Sequence, residues 1–79
     1  FPNPFNPVTN IEIYIPELSI VDVSIYNIQG QLIETLINES LHAGKHYIVW
    51  NGKLYPSGIY FLMVKSSGFS IAEKLMLVK

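Results

Sequence analysis

The feature that most constrains this chain is a succession of short apolar or alternating stretches, each closed by turn residues at intervals of about 8–12 residues. Thr9–Ile15 alternates cleanly, with Ile11, Ile13 and Ile15 on one face of the predicted strand and polar or amphipathic residues on the other. Ile20–Tyr26 repeats this pattern. Such spacing is typical of an antiparallel β-sandwich or a small β-barrel.

We predict seven antiparallel strands. In the second of them, Val21, Val23 and Ile25 point inward, while Asp22 and Ser24 point outward. A helix is the alternative for Gln31–Ile37, but its β-branched content and shortness favour a strand. The predicted strands are Thr9–Ile15, Ile20–Tyr26, Gln31–Ile37, a short edge strand Glu39–Leu41, Tyr47–Trp50, Ile59–Lys65 and Phe69–Val78. The predicted turns are Asn27–Gly30, Ala43–Lys45, Asn51–Gly52 and the hairpin loop Ser66–Gly68.

A proline-rich segment precedes these strands. Pro2, Pro4 and Pro7 hold it out of helical geometry, so residues 1–8 are predicted to form an extended arm and residues 9–79 a single sandwich domain. Phe1 and Phe5 lie in this arm. We expect their side chains to pack on the sandwich, dock on a neighbouring molecule or form exposed apolar patches. Because the chain begins with Phe1, we expect a processed product or an excised domain.

Composition argues against several classes of function. The chain has a net charge of −1, with five Lys and no Arg, which argues against nucleic-acid binding. Cysteine is absent, so neither disulfides nor thiolate metal sites are expected. We also expect no membrane insertion, because no apolar run approaches the roughly 18–20 residues needed to span a bilayer.

The chain offers little material for catalysis or for a cofactor. Ser57 lies in a Pro-Ser-Gly segment that lacks the strand-to-helix setting of a nucleophile elbow. His42 and His46 are interpreted as solvated loop residues, because Gly44 separates them in a predicted turn and a metal site needs three or more ligands. No glycine-rich phosphate loop is present. The sequence therefore predicts a protein that is not an enzyme and has no cofactor.

Aromatic residues on or beside the predicted strands are interpreted as core or cross-strand packing. These residues are Tyr47, Trp50, Tyr60, Phe61 and Phe69.

The order of several short motifs resembles a known family. The motifs are the arm Phe1–Pro7, the segment Val23–Asn27 running into Gly30, Ala43-Gly44, Trp50-Asn51-Gly52, Ser57–Phe61 and the terminal strand Lys74–Lys79. Together they resemble the C-terminal sorting domain (type A) of the type IX secretion system and the related immunoglobulin-like domain of the flagellar hook-capping protein. The resemblance covers essentially the whole chain.

The resemblance implies an immunoglobulin-like sandwich of seven strands, exported through the periplasm to the bacterial cell surface or the extracellular space. The expected partner is the outer-membrane secretion machinery. In this family a Ser-Gly-x-Tyr segment and a lysine-containing terminal strand carry the sorting signal. By position these are Ser57, Gly58 and Tyr60, with Lys74 and Lys79.

Two other functions stay open from the sequence. One is a self-assembling subunit of an extracellular filament or tube, in which the arm residues Phe1, Pro2, Pro4, Phe5 and Pro7 dock on an identical subunit. The other is a carbohydrate-binding module. We favour the sorting module over assembly because its motifs extend over the whole chain.

Overall fold

A computed structural model describes residues 7–79, which form six antiparallel strands and no helix. Of the predicted arm, Phe1, Pro2, Pro4 and Phe5 lie outside the described residues, and Pro7 leads directly into the first strand. Within residues 7–79, no helix has the length and apolar character required to cross a bilayer. The strands are β1 (Val8–Ile15), β2 (Ser19–Tyr26), β3 (Leu32–Leu41), β4 (Gly44–Asn51), β5 (Gly58–Ser66) and β6 (Phe69–Leu77).

The strands form two sheets of unequal size. β1 and β4 pair along their full length as a two-stranded sheet, from Val8 opposite Asn51 to Ile15 opposite Gly44. The larger sheet has the order β3-β2-β5-β6. Buried residues from both sheets belong to one apolar cluster, so the sheets pack face to face around a shared core.

The core follows the alternation predicted from the sequence. Ile11 and Ile15 of β1 are buried with Ile13 packed against them, and the inward residues of β2 are completely buried. The buried apolar residues are Ile11, Ile15, Val21, Val23, Ile25, Leu41, Ile48, Trp50, Tyr60, Leu62, Val64 and Leu77. Two residues add detail to the prediction. Tyr47 is not part of the core, because it lies opposite Glu12 on the outer face of the smaller sheet and is 73% exposed. Ser24 lies on the outer face of β2 as predicted, but it is buried there.

The burial of Ser24 is explained by its polar neighbours. Its hydroxyl donates a hydrogen bond to Asp22 Oδ1 at 2.6 Å and lies 3.3 Å from Thr35 Oγ1. A buried hydroxyl is tolerated when it is hydrogen-bonded in this way.

The prediction of a separate strand at Glu39–Leu41 is wrong, because β3 runs without interruption from Leu32 to Leu41. The pairing of β2 with β3 shifts register between Val23 and Ser24 and again between Ile25 and Tyr26. Each shift interrupts the two-residue period that assigns side chains to one face. The shifts therefore explain why both faces of this segment are apolar in the sequence. The strand count falls from seven to six because Glu39–Leu41 is the last part of β3.

The turn at Asn27–Gly30 is confirmed. The Asn27 side-chain oxygen accepts hydrogen bonds from the backbone N–H groups of Gln29 at 2.9 Å and Gln31 at 3.0 Å, and Gly30 N–H donates to the Asn27 carbonyl at 3.0 Å. The predicted turn at Ala43–Lys45 is misplaced, because β4 already begins at Gly44. His46 is consequently a strand residue, and its Nε2 lies 2.7 Å from the His42 carbonyl oxygen.

Candidate functional site

The loop between β4 and β5 carries the Ser-Gly-x-Tyr segment, and its first half is a hydrogen-bonded turn. Asn51 Oδ1 accepts a hydrogen bond from Lys53 N–H at 3.0 Å, and the Gly52 carbonyl accepts one from Tyr55 N–H at 3.0 Å. Gly52 N–H in turn donates to the Pro7 carbonyl at 2.9 Å. The predicted turn at Asn51–Gly52 is thus confirmed, and it also holds the entry to β1.

An aromatic cluster supports this loop from inside the fold. The ring of Trp50, which is completely buried, lies 5.3 Å from that of Tyr60 in an edge-to-face arrangement and 5.9 Å from that of Tyr55. The rings of Tyr55 and Tyr60 are 6.4 Å apart. These separations are typical of favourable aromatic pairs. The cluster therefore anchors the loop at Tyr55 and the start of β5 at Tyr60.

The Glu34 carboxylate links the cluster to β3. One of its oxygens lies 3.0 Å from the Tyr55 hydroxyl and 3.3 Å from Trp50 Nε1, both of which donate to it. Desolvation of the Tyr55 hydroxyl, and then its hydrogen bond to this carboxylate, raise the pKa of Tyr55 above its ordinary value. Sequence reasoning did not identify Glu34, because the register shifts in β3 conceal which face it occupies.

Tyr60, a predicted sorting residue, points into the core. Its hydroxyl donates a hydrogen bond of 2.6 Å to the Pro56 carbonyl, and its side chain is 6% exposed. In this position Tyr60 fixes the backbone immediately before Ser57. Tyr60 can therefore affect a recognition surface only by setting the conformation of the β4–β5 loop.

Ser57 and Lys79 meet at the surface. The Ser57 hydroxyl oxygen accepts a hydrogen bond from the Lys79 backbone N–H at 3.1 Å, and the Lys79 ammonium donates to the Lys53 carbonyl at 2.5 Å. Gly58 has a φ of +156°, a backbone conformation that residues other than glycine rarely adopt. Two of the segments identified by resemblance are thus joined at one end of the fold. We call Ser57, Gly58 and Lys79 the 57/79 junction.

Gly52 packs against the terminal strand beside this junction. A Cβ atom at this position would lie 2.7 Å from Leu77 Cδ1 and 2.9 Å from Leu77 Cδ2. Leu77 is buried and pairs with Gly58 across β5 and β6. The absence of a side chain at Gly52 therefore lets β6 approach the loop closely.

Lys74 does not join the other predicted sorting residues. It pairs with Phe61 across β5 and β6, and the next pair is Tyr60 with Leu75. Because side chains alternate between the faces of a sheet, Lys74 points to the outer face and Tyr60 to the core. The structure thus brings four of the five predicted residues to one end and places Lys74 on the outer face, where it is exposed.

A shallow depression of about 300 Å³ lies next to the junction. It runs between the β2–β3 turn and the β4–β5 loop, and its lining includes Ile28, Ile33, Tyr55 and Ser57. Ile28 is 68% exposed on its rim.

The hydroxyl group at the 57/79 junction belongs to Ser57. The Ser57 hydroxyl is engaged by a backbone N–H. Among residues 7–79, no three or more His, Cys, Asp or Glu side chains cluster as they would around a metal ion. Within the described part of the chain, no histidine or carboxylate is hydrogen-bonded to Ser57 as a general base would be.

Comparison with known protein families identifies the family of this chain. The family described as the secretion system C-terminal sorting domain matches residues 1–79, the whole of the chain. The chain belongs to this family. No curated protein and no solved structure matches.

Membership in the family establishes the general role of this sorting domain. Domains of this kind mark proteins for type IX export to the cell surface or the extracellular space, and they act as sorting signals rather than as catalysts. The partner implied is the secretion machinery in general. Neither the family nor the described residues support self-assembly of identical subunits.

Proposed function

We propose that the 57/79 junction is the part of this sorting domain that the outer-membrane secretion machinery contacts during export. The observation that carries the proposal is the hydrogen bond between the Ser57 hydroxyl and Lys79 N–H. It joins the Ser-Gly-x-Tyr segment to the terminal strand, so that two parts of the signal form one continuous surface.

The remaining residues of the signal have supporting roles in this proposal. Tyr60 holds the Pro56 carbonyl and thereby sets the conformation of the loop. Lys74 is a separate contact on the outer face of the larger sheet, available to a partner that reaches around the edge strand β6. The finer architecture, an immunoglobulin-like sandwich with an extended arm, is part of the same proposal, as is passage through the periplasm.

Export of a reporter tests this assignment. A periplasm-directed reporter followed by the 79-residue chain is expressed in a bacterium with a type IX system, and reporter is measured in cells and medium. We expect Ser57→Ala and Lys79→Ala to reduce export. Lys45→Ala is the matched control, because Lys45 is exposed on β4 at the opposite end of the fold.

Folding must be measured separately from export. Each purified variant is unfolded in urea while Trp50 fluorescence is followed, so that loss of recognition is distinguished from loss of structure. Variants that fold normally yet are exported less support the junction as the contact surface. Normal export of the folded Ser57 and Lys79 variants would contradict it. A loss confined to Lys74→Ala would instead assign recognition to the outer face.

A further inference from the structure

The smaller sheet has an open strand edge. β1 pairs with β4 through all eight of its residues, and it has no second strand partner within residues 7–79. Backbone N–H and C=O groups along such an edge are available to an incoming strand. The larger sheet beneath it has four strands, so the two strands of the smaller sheet that the structure describes cover only part of it.

The uncovered part is the inner side of β6. Ile71 pairs with Val64, and both therefore point to the inner side of the larger sheet. Val64 is only 3% exposed, whereas Ile71 is 53% exposed. This difference between two directly paired residues marks a place that no strand of residues 7–79 covers.

A groove of about 200 Å³ lies between the open edge of β1 and this side of β6. Its floor and walls are apolar and include Ile13, Leu62, Val64, Phe69 and Ile71. A strand added beside β1 would place every second side chain into this groove, because side chains alternate along a strand. The groove thus fits an extended segment with apolar residues at alternate positions.

The charged residues of the groove indicate which charge the bound segment should carry. Glu12 and Glu73 both line it, and no lysine or histidine does. Both glutamates are exposed. A second copy paired through its own β1 edge would bring a further Glu12 to this negative site, so charge disfavours it. Basic residues flanking the apolar positions would complement both carboxylates.

We propose that this groove binds an extended peptide segment of a protein partner, with alternating apolar residues flanked by Lys or Arg, as a third strand of the smaller sheet beside β1. This mode of binding combines backbone hydrogen bonds with side-chain pockets. The proposed peptide site is separate from the 57/79 junction proposed for export. It lies around Phe69, beside the β5–β6 hairpin, whereas Gly58 and Leu77 pair at the other end of β5 and β6.

Two synthetic peptides test the proposal on the full 79-residue chain. Each has seven residues that alternate Val and Thr, with Lys at both ends in one peptide and Glu at both ends in the other. Titrations are followed by amide chemical shifts and by hydrogen exchange. We expect the Lys-ended peptide to bind at least about fivefold more tightly. We also expect shifts in β1 and Phe69–Glu73, with exchange slowed at alternate amides of β1.

Charge reversal provides the matched comparison. The double substitution Glu12→Lys with Glu73→Lys is expected to reverse the preference between the two peptides. Glu39→Lys, an exposed change on β3, is expected to leave it unchanged. These are surface positions, and normal urea unfolding of each variant confirms the fold.

Several results would overturn the proposal. Equal affinity for the two peptides would show that Glu12 and Glu73 do not select basic residues. Absence of binding by either peptide would show that the groove is not a peptide site. Shifts confined to other strands would place binding elsewhere. Dimers formed through β1 at the same concentrations would assign the edge to a second copy. Binding seen only after deletion of residues 1–6 would assign the groove to the chain's own arm.

Discussion

Substitution of Gly52 by alanine is expected to destabilise the domain through a single contact. The new Cβ would lie 2.7 Å and 2.9 Å from the two δ-methyl carbons of Leu77, well inside contact distance. Leu77 is 3% exposed and has little space into which to move. Overpacking of this kind costs about 1–3 kcal/mol, while the loss of glycine flexibility in the unfolded chain returns about 0.4–1 kcal/mol. We therefore expect a net loss of about 1–2 kcal/mol.

A double-mutant cycle isolates this contact. Leu77→Val removes both δ-carbons that would clash and by itself costs about 1 kcal/mol. In that background, Gly52→Ala is expected to be neutral or slightly stabilising, so the coupling free energy should be about 1–3 kcal/mol. The assay is urea unfolding monitored by Trp50, the only tryptophan in the chain. If Gly52→Ala were equally destabilising in both backgrounds, the close approach of Leu77 would not be the cause.

Three further predictions concern the tyrosines. Tyr60→Phe deletes the hydroxyl that donates to the Pro56 carbonyl and should cost about 1 kcal/mol in thermal or urea unfolding; an unchanged midpoint would contradict a structural role for this bond. Because the pKa of Tyr55 is raised on folding, its contribution to stability is complete below its unfolded pKa of about 10 and is lost as pH rises through the higher folded value. Tyr55→Phe should therefore reduce the fall in unfolding free energy above pH 10, and an identical fall in both proteins would refute this. Tyr47→Ser removes an exposed side chain and should change stability by less than about 0.5 kcal/mol, against a larger loss if the residue belonged to the core.

The strands with regular alternation could be predicted from the sequence. In β1 and β2 the two-residue period correctly identified Ile11, Ile15 and Val23 as inward residues. The turn at Asn27–Gly30 was predictable because Asn and Gly supply specific turn conformations. β3 was not predictable in full, because the register shifts in its pairing with β2 break the period on which such reasoning depends.

The candidate site, too, could be predicted only in part from the sequence. Resemblance named Ser57 and Lys79, but their hydrogen bond depends on the pairing of β5 with β6, which brings residues 22 positions apart into contact. Glu34 was missed because no local pattern signals that its carboxylate will meet Trp50 and Tyr55. The sequence did not separate core packing from cross-strand packing for Tyr47, because an aromatic residue suits either face of a strand.

The measurement that tests the central claim most directly is export of the reporter carrying Ser57→Ala, compared with Lys45→Ala, after both variants are shown to unfold at normal urea concentrations. We predict that Ser57→Ala leaves more reporter in the cells and less outside, while Lys45→Ala is exported normally. Equal export of the two folded variants would contradict recognition at the 57/79 junction.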